Sequence, residues 1–165
     1  MTIDELPEGF QRVSAALAER GHAHAPLWRE VPARTSQEAA DALGVAVGQI
    51  AKSVIFRRRS DERAVLVVAS GDRRVDEKKV AAITGALGRA DADFVKAKTG
   101  FSIGGVAPLA HRHPQAEPPL TLIDRELFRF AEIWAAAGHP NGVFKLVPAE
   151  LEALTGAPVH DVTQA

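Results

Sequence analysis

Between Thr99 and His111 the chain reads TGFSIGGVAPLAH, and two chemistries overlap in it. Gly100-Phe101-Ser102-Ile103-Gly104 fits the G-x-S-x-G pattern of a nucleophile elbow, which would make Ser102 an attacking hydroxyl. Gly104-Gly105-Val106-Ala107-Pro108 is instead a run of main-chain amides, unobstructed at its two glycines and stiffened at its exit by Pro108. Such amides can converge on a carbonyl or carboxylate oxygen, as ester hydrolysis requires at its oxyanion; the same run also suits an ordinary tight turn. The elbow needs a buried strand entering the serine and a helix leaving it. Here DADFVKAK on the entry side is polar and helix-like, and GGVAP on the exit side opposes a helix. Ser102, Asp124 and His139 do follow the order of a hydrolase triad, but Ser102 reads better as a loop hydroxyl.

Lys52 is the second feature. It opens the mostly apolar segment AKSVIF, so it is either an edge lysine with its stem on the sheet or a fixed cation at the floor of a pocket. In the second case it would hold a phosphate or a carbonyl oxygen. Histidines occur in the pairs His22/His24 and His111/His113, and on a strand either pair would share a face. Zinc needs a third ligand, and none stands at a diagnostic spacing, so no metal site is expected. His111, close behind the glycine loop, is a candidate polar wall of a pocket, and His139 in GHPN has a similar claim. Basic residues gather at Arg57-Arg58-Arg59, Arg73-Arg74 and Lys78-Lys79, with Lys96 and Lys98 beyond. They form either a solvated rim or a patch that tracks phosphates beside a site.

The elements that must position these residues follow from composition and period. With 165 residues, 46% hydrophobic and 25% charged, the chain fits one globular domain spanning 1–165. It has no cysteine, which excludes thiolate nucleophiles, thiolate metal sites and disulfides. A net charge of −1 argues against sequence-blind binding to nucleic acid as a whole-protein property. The opening MTIDELPEGF has no signal-peptide pattern and no apolar run approaches ~20 residues, so no membrane partner and a cytoplasmic location are expected. Helical spacing runs from Glu8 to Arg20, from the capping pair Thr35/Glu38 through Ala42, and over Asp76–Thr84, Asp91–Lys98 and Pro148–Leu154. Lys52–Arg57 and Ala64–Ala69 read as a hairpin. Further strands are expected at Leu120–Ile123, Glu132–Ala137, Val143–Val147 and in APVHDV. The strands do not alternate regularly with helices, which favours an α+β fold on a mixed or mostly antiparallel sheet.

Four segments occur in order: LGVAVGQIAKSVIF, SGDRRVDEKKV, TGFSIGGVAPLAH and LIDRELFRFAEIWAAAGHPNGVFKL. Together they resemble the YbaK/ProX family of freestanding aminoacyl-tRNA deacylases, relatives of the editing insertion of bacterial prolyl-tRNA synthetases. The resemblance covers about Thr35 to Val162. It implies a central, barrel-like mixed sheet surrounded by helices. It also implies hydrolysis of the ester that joins a wrong amino acid to tRNA, with no cofactor. The family's lysine matches Lys52, and its G-x-x-x-P loop matches Gly104 to Pro108. Ser53 stands where the family often has threonine, and WAAAGHPNGVF departs from the members that remove cysteine.

The roles this implies are catalytic for Lys52, Gly104 and Gly105. Ser53, Ser102, Val106, Pro108, His111, Asp124 and His139 would bind substrate, although Asp124 also suits a cap for the DRELF turn. The implied partners are the aminoacylated 3′ end of tRNA, tRNA for proline above all, and prolyl-tRNA synthetase. The same lysine and loop would equally serve a non-catalytic module that holds a tRNA 3′ end or an amino acid.

Overall fold

In the computed structural model, which describes residues 2–112 and 117–165, the elements follow the chain's periodicities. Helix α1 (Glu8–Glu19) buries Phe10, Val13 and Leu17 along one stripe. After the two-residue strand β1 (Leu27–Trp28), α2 (Ser36–Leu43) begins where the Thr35 hydroxyl accepts the Glu38 amide at 3.1 Å and stops at left-handed Gly44. A 3₁₀ turn, Val47–Gln49, leads into β2 (Ile50–Arg58), which hairpins into β3 (Ala64–Ser70). Asp76 caps α3 (Glu77–Thr84), β4 (Leu87–Arg89) follows, and Asp91 caps α4 (Ala92–Thr99). The rest is β5 (Leu120–Asp124), a 3₁₀ turn over Arg125–Arg129, β6 (Ile133–Ala136), β7 (Gly142–Leu146), α5 (Pro148–Thr155) and β8 (Val159–His160).

These strands form one sheet in the order β1-β7-β6-β2-β3-β5-β8, with β4 also paired to β2. The pairs β1/β7, β2/β3, β2/β4 and β6/β7 are antiparallel. The pairs β2/β6, β3/β5 and β5/β8 are parallel. The sheet is therefore mixed, and antiparallel pairs lead only narrowly. Every residue of β3 is buried, because apolar layers cover both of its faces. Leu66 and Val68 join α1, Phe101, Ile123 and Phe144 on one side; Val65, Val67 and Ala69 join Val80 and Val162 on the other.

One discontinuity in this sheet makes room for a site. On the side away from β3, β2 pairs with β6 only at Ile50 and Ala51, and with β4 only from Phe56 to Arg58. Lys52 to Ile55 lie between these contacts and pair with β3 alone. A strand edge released in the middle of a sheet leaves space for a loop and a ligand.

Candidate functional site

Beside the released edge is a cleft of about 220 Å³. Lys52 and Ser53 of β2, Gly104 and Val106 of the glycine loop, and His139 of the β6–β7 turn all line it. The fold thus brings together residues far apart in sequence, including the cation and the amides that could meet one acyl group.

The Lys52 ammonium donates to the Arg73 carbonyl at 2.6 Å, its one hydrogen-bond partner among the described residues. An ammonium has three donors, so two remain for a ligand. Partial burial pushes its pKa below the usual lysine range, while the nearby carboxylates of Asp124 and Asp72 oppose that shift. The neighbouring hydroxyl of Ser53 is buried and has no partner among the described residues. A buried polar atom left unpaired costs about 1–3 kcal/mol, which a ligand that bonds it would recover.

The glycine loop is built by close backbone contact. A turn closes from the Gly105 amide to the Ser102 carbonyl at 3.0 Å, with Gly104 at φ +89°, where a side chain would be strained. A β-carbon on Gly105 would lie 2.8 Å from the His139 Cα and 2.9 Å from the Pro140 Cδ, so only glycine permits this approach. The turn corrects the expectation that Gly105 donates to a substrate, because its amide already has a carbonyl. The amides of Gly104 and Val106 have no partner among the described residues. Arg12 braces the loop from behind, donating to Ala110 O at 2.8 Å and Gly100 O at 3.2 Å with its guanidinium 4.3 Å above the Phe101 ring.

The other expected residues lie elsewhere. Helix α4 enters Ser102 and a turn leaves it, which is not elbow geometry, and Ser102 faces a separate depression with Pro7, Lys96 and Gly138. His111 is outside the cleft lining; its Nε2 is 2.9 Å from the Ala107 carbonyl and its ring meets Phe101 edge-on. Pro108 is buried and does not line the cleft. Asp124 is fully buried, accepting the Ser70 amide at 3.0 Å and the Glu126 amide at 2.9 Å, so it caps the 3₁₀ turn and reaches the site only through its charge. His22 Nε2 is 2.8 Å from the Lys145 carbonyl and its Nδ1 is 3.6 Å from Glu150, so it ties β7 to α5. His113 lies outside the described residues.

His139 is held on two sides. Its ring packs 4.8 Å from Trp28, and its Nδ1 accepts the Asn141 amide at 3.1 Å. Burial lowers its pKa, and an accepting Nδ1 puts the remaining proton on Nε2, so it presents a neutral donor. The cleft also has walls that sequence reasoning missed: Arg34, Thr35 and Ser36 at the start of α2, and Trp134, Ala135 and Val143 from β6 and β7. The Thr35/Glu38 capping pair marked the helix start, but nothing nearby marked its approach to β2.

This fold belongs to a known class. The profile of the aminoacyl-tRNA editing domain matches residues 30–154, and the chain is a member of that family. Among curated proteins it is similar to the uncharacterized protein YwhH of Bacillus subtilis (strain 168), at 36% identity over 74% of this chain and 75% of YwhH. It is also similar to the proline–tRNA ligase of Desulfotalea psychrophila (strain LSv54 / DSM 12343), at 30% identity over 90% of this chain but only 24% of the ligase. Among solved structures, one described as a candidate trans-editing enzyme for prolyl tRNA synthetase superposes with a TM-score of 0.87. It has 38% identity over 97% of this chain and 99% of that one.

Proposed function

We propose that this chain is a trans-acting aminoacyl-tRNA deacylase that hydrolyses the ester between a small, wrongly attached amino acid and the 3′ end of tRNA, tRNA for proline above all. The observation that carries the reading is one cleft lined both by Lys52, whose ammonium has a single partner among the described residues, and by Gly104 and Val106, whose amides have none. At about 220 Å³ the cleft is smaller than the ~300–1,000 Å³ of drug-sized pockets, which suits a small acyl group.

The ester is already activated, so the protein's work is orientation and charge stabilisation. Lys52 holds the terminal phosphate or the ester carbonyl, and the Gly104 and Val106 amides take the carbonyl oxygen as it gains charge. Water adds to the carbonyl carbon, the bond to the ribose oxygen breaks, and the proton from water ends on that oxygen. Free amino acid and uncharged tRNA leave. Editing of this kind has a physical cause: a proline site rejects a smaller residue by only ~1–3 kcal/mol per missing methylene. On this reading the domain works in the cytoplasm beside prolyl-tRNA synthetase.

The test is deacylation of tRNAs for proline mischarged with alanine, serine, threonine, cysteine and 2-aminobutyrate, by wild type and by Lys52→Met. The reading predicts turnover of at least one substrate and its loss in the variant. Equal rates in the two would remove Lys52 from the chemistry, and no turnover of any substrate would remove the activity.

A further inference from the structure

The turn that follows β3 supplies the carbonyl against which Lys52 is aimed. Arg73 closes this turn, with its amide on the Ser70 carbonyl at 3.0 Å, and its own carbonyl takes the Lys52 ammonium. A two-pronged contact from the 3₁₀ turn after β5 holds the same turn. Arg129 donates Nη1 to Asp72 Oδ2 at 3.1 Å and Nη2 to Asp72 Oδ1 at 2.7 Å, and Nη2 also reaches the Ser70 hydroxyl at 2.8 Å. That hydroxyl donates to the Gly48 carbonyl at 2.5 Å, just before β2 begins. One guanidinium thus ties together the start of the strand that carries Lys52 and the turn that receives its ammonium.

Packing leaves the clamp little freedom. A β-carbon on Gly48 would lie 2.6 Å from the Phe130 Cζ and 2.9 Å from Asp72 Oδ2. On Gly71 it would lie 2.4 Å from the Val47 carbonyl oxygen. Arg129 is itself fixed: its Nε donates to the Glu126 carbonyl at 2.7 Å, and its guanidinium lies 4.9 Å from the Phe130 ring centre. A planar fork on a carboxylate fixes geometry in a way that a lone ammonium does not.

We propose that Arg129 is a positioning residue for Lys52: by clamping Asp72 and Ser70 it sets the Arg73 carbonyl and keeps an anion beside the ammonium. The role in deacylation rests on the function proposed above; the placement of Lys52 does not. The charges that act on the ammonium are Asp124 at the end of β5 and Asp72 in the turn; Arg73 and Arg129 both pair with Asp72, and Arg34 and His139 line the same cleft as Lys52. Arg129 holds the Asp72 carboxyl below the usual range, so Asp72 stays ionised wherever Lys52 titrates. Without the clamp Asp72 keeps, among the described residues, only the Ser70 hydroxyl at 3.0 Å and the Arg73 guanidinium at 3.8 Å, and each turn of its carboxylate away from the ammonium removes a charge that favours the protonated form.

Two readouts test this. The first is the titration of Lys52 itself, followed through its side-chain ¹³Cε signal and assigned with Lys52→Arg. Asp72→Asn, which removes the anion, should lower the Lys52 midpoint by about half a pH unit or more; Arg129→Lys, which keeps the cation but loses the two-pronged hold, should lower it by less; Arg129→Met, which removes a cation together with the clamp, is read by deacylation. A purely structural loss would lower the melting temperature and leave the midpoint in place. The second is deacylation of the mischarged tRNAs, where kcat should fall on the order of tenfold to 100-fold with KM little changed.

If Arg129→Met does not fold, Asp72→Asn and Arg129→Lys decide the matter. An unmoved midpoint in both Asp72→Asn and Arg129→Lys overturns the proposal. If Lys52→Met keeps wild-type deacylation, the deacylase reading fails while the titration still judges the clamp.

Discussion

The two walls of the cleft are held in opposite ways. Charge places Lys52: its ammonium is on a carbonyl whose turn is fixed by Asp72 and Arg129, with Asp124 buried nearby. Among the described residues the facing loop has no ion pair at its centre, and it owes its shape to glycines that let backbone approach backbone, Gly105 on His139 and Pro140 above all. A wall built from charge is sensitive to pH and to single polar substitutions. A wall built from close packing is indifferent to pH and is disrupted by one methyl group.

The largest expected effect therefore comes from the charged wall. Lys52→Met should abolish deacylation and yet leave the melting temperature unchanged or raised near neutral pH. The sign follows from burial, which lowers the folded-state pKa of Lys52 below its unfolded value. The unfolded chain then binds more protons between the two values, so stability rises with pH across that window, and below it the buried charge is a cost. Removing the charge removes the cost. A melting temperature clearly below wild type would mean that Lys52 is primarily structural.

Gly105→Ala should come next, through shape. The added carbon meets main chain rather than a flexible side-chain tip, so the loop or the His139 turn must shift, at roughly 1–3 kcal/mol of stability. Deacylation should fall with the shape of its pH profile unchanged, in contrast with the clamp variants. A variant as stable and active as wild type would show that the loop adapts freely.

Ser102→Ala should do least, with rates within about twofold of wild type, because the hydroxyl is exposed and faces another depression. Loss of activity there would reopen the nucleophile reading.

Much of the framework was legible because its signals are local. Phe10, Val13 and Leu17 fall on one helical stripe, and Asp76 and Asp91 sit where caps belong. The β2–β3 hairpin follows from two β-branched runs around a polar turn. Strands β1 and β4 carry too few residues to show a period, and Gly88 in β4 weakens a strand pattern further; in the fold it gives the Arg57 side chain room. Lys52, Ser53, Gly104, Val106 and His139 were identifiable by residue type and motif, and the structure places all five on one cleft.

The sequence did not show which partners each polar group would find. Nothing local indicates that the Gly105 amide closes a turn or that His111 turns to Ala107. Still less does it show that Arg129 reaches Asp72 across a separation of 57 residues. Such pairings depend on how β3, β5 and the turns after them stack, and tertiary contact alone decides that.

The central claim is that one cation and two amides meet around a single acyl group. Its most direct test is a crystal structure with a non-hydrolysable 3′-aminoacylamino-adenosine, whose amide replaces the ester. The account predicts the acyl group beside β2, with the Lys52 ammonium within ~2.7–3.2 Å of the acyl oxygen or the terminal phosphate and the Gly104 or Val106 amide within the same reach of that oxygen. An analogue seated instead in the Ser102 depression, or in the cleft with the Lys52 ammonium turned away from it, would contradict it.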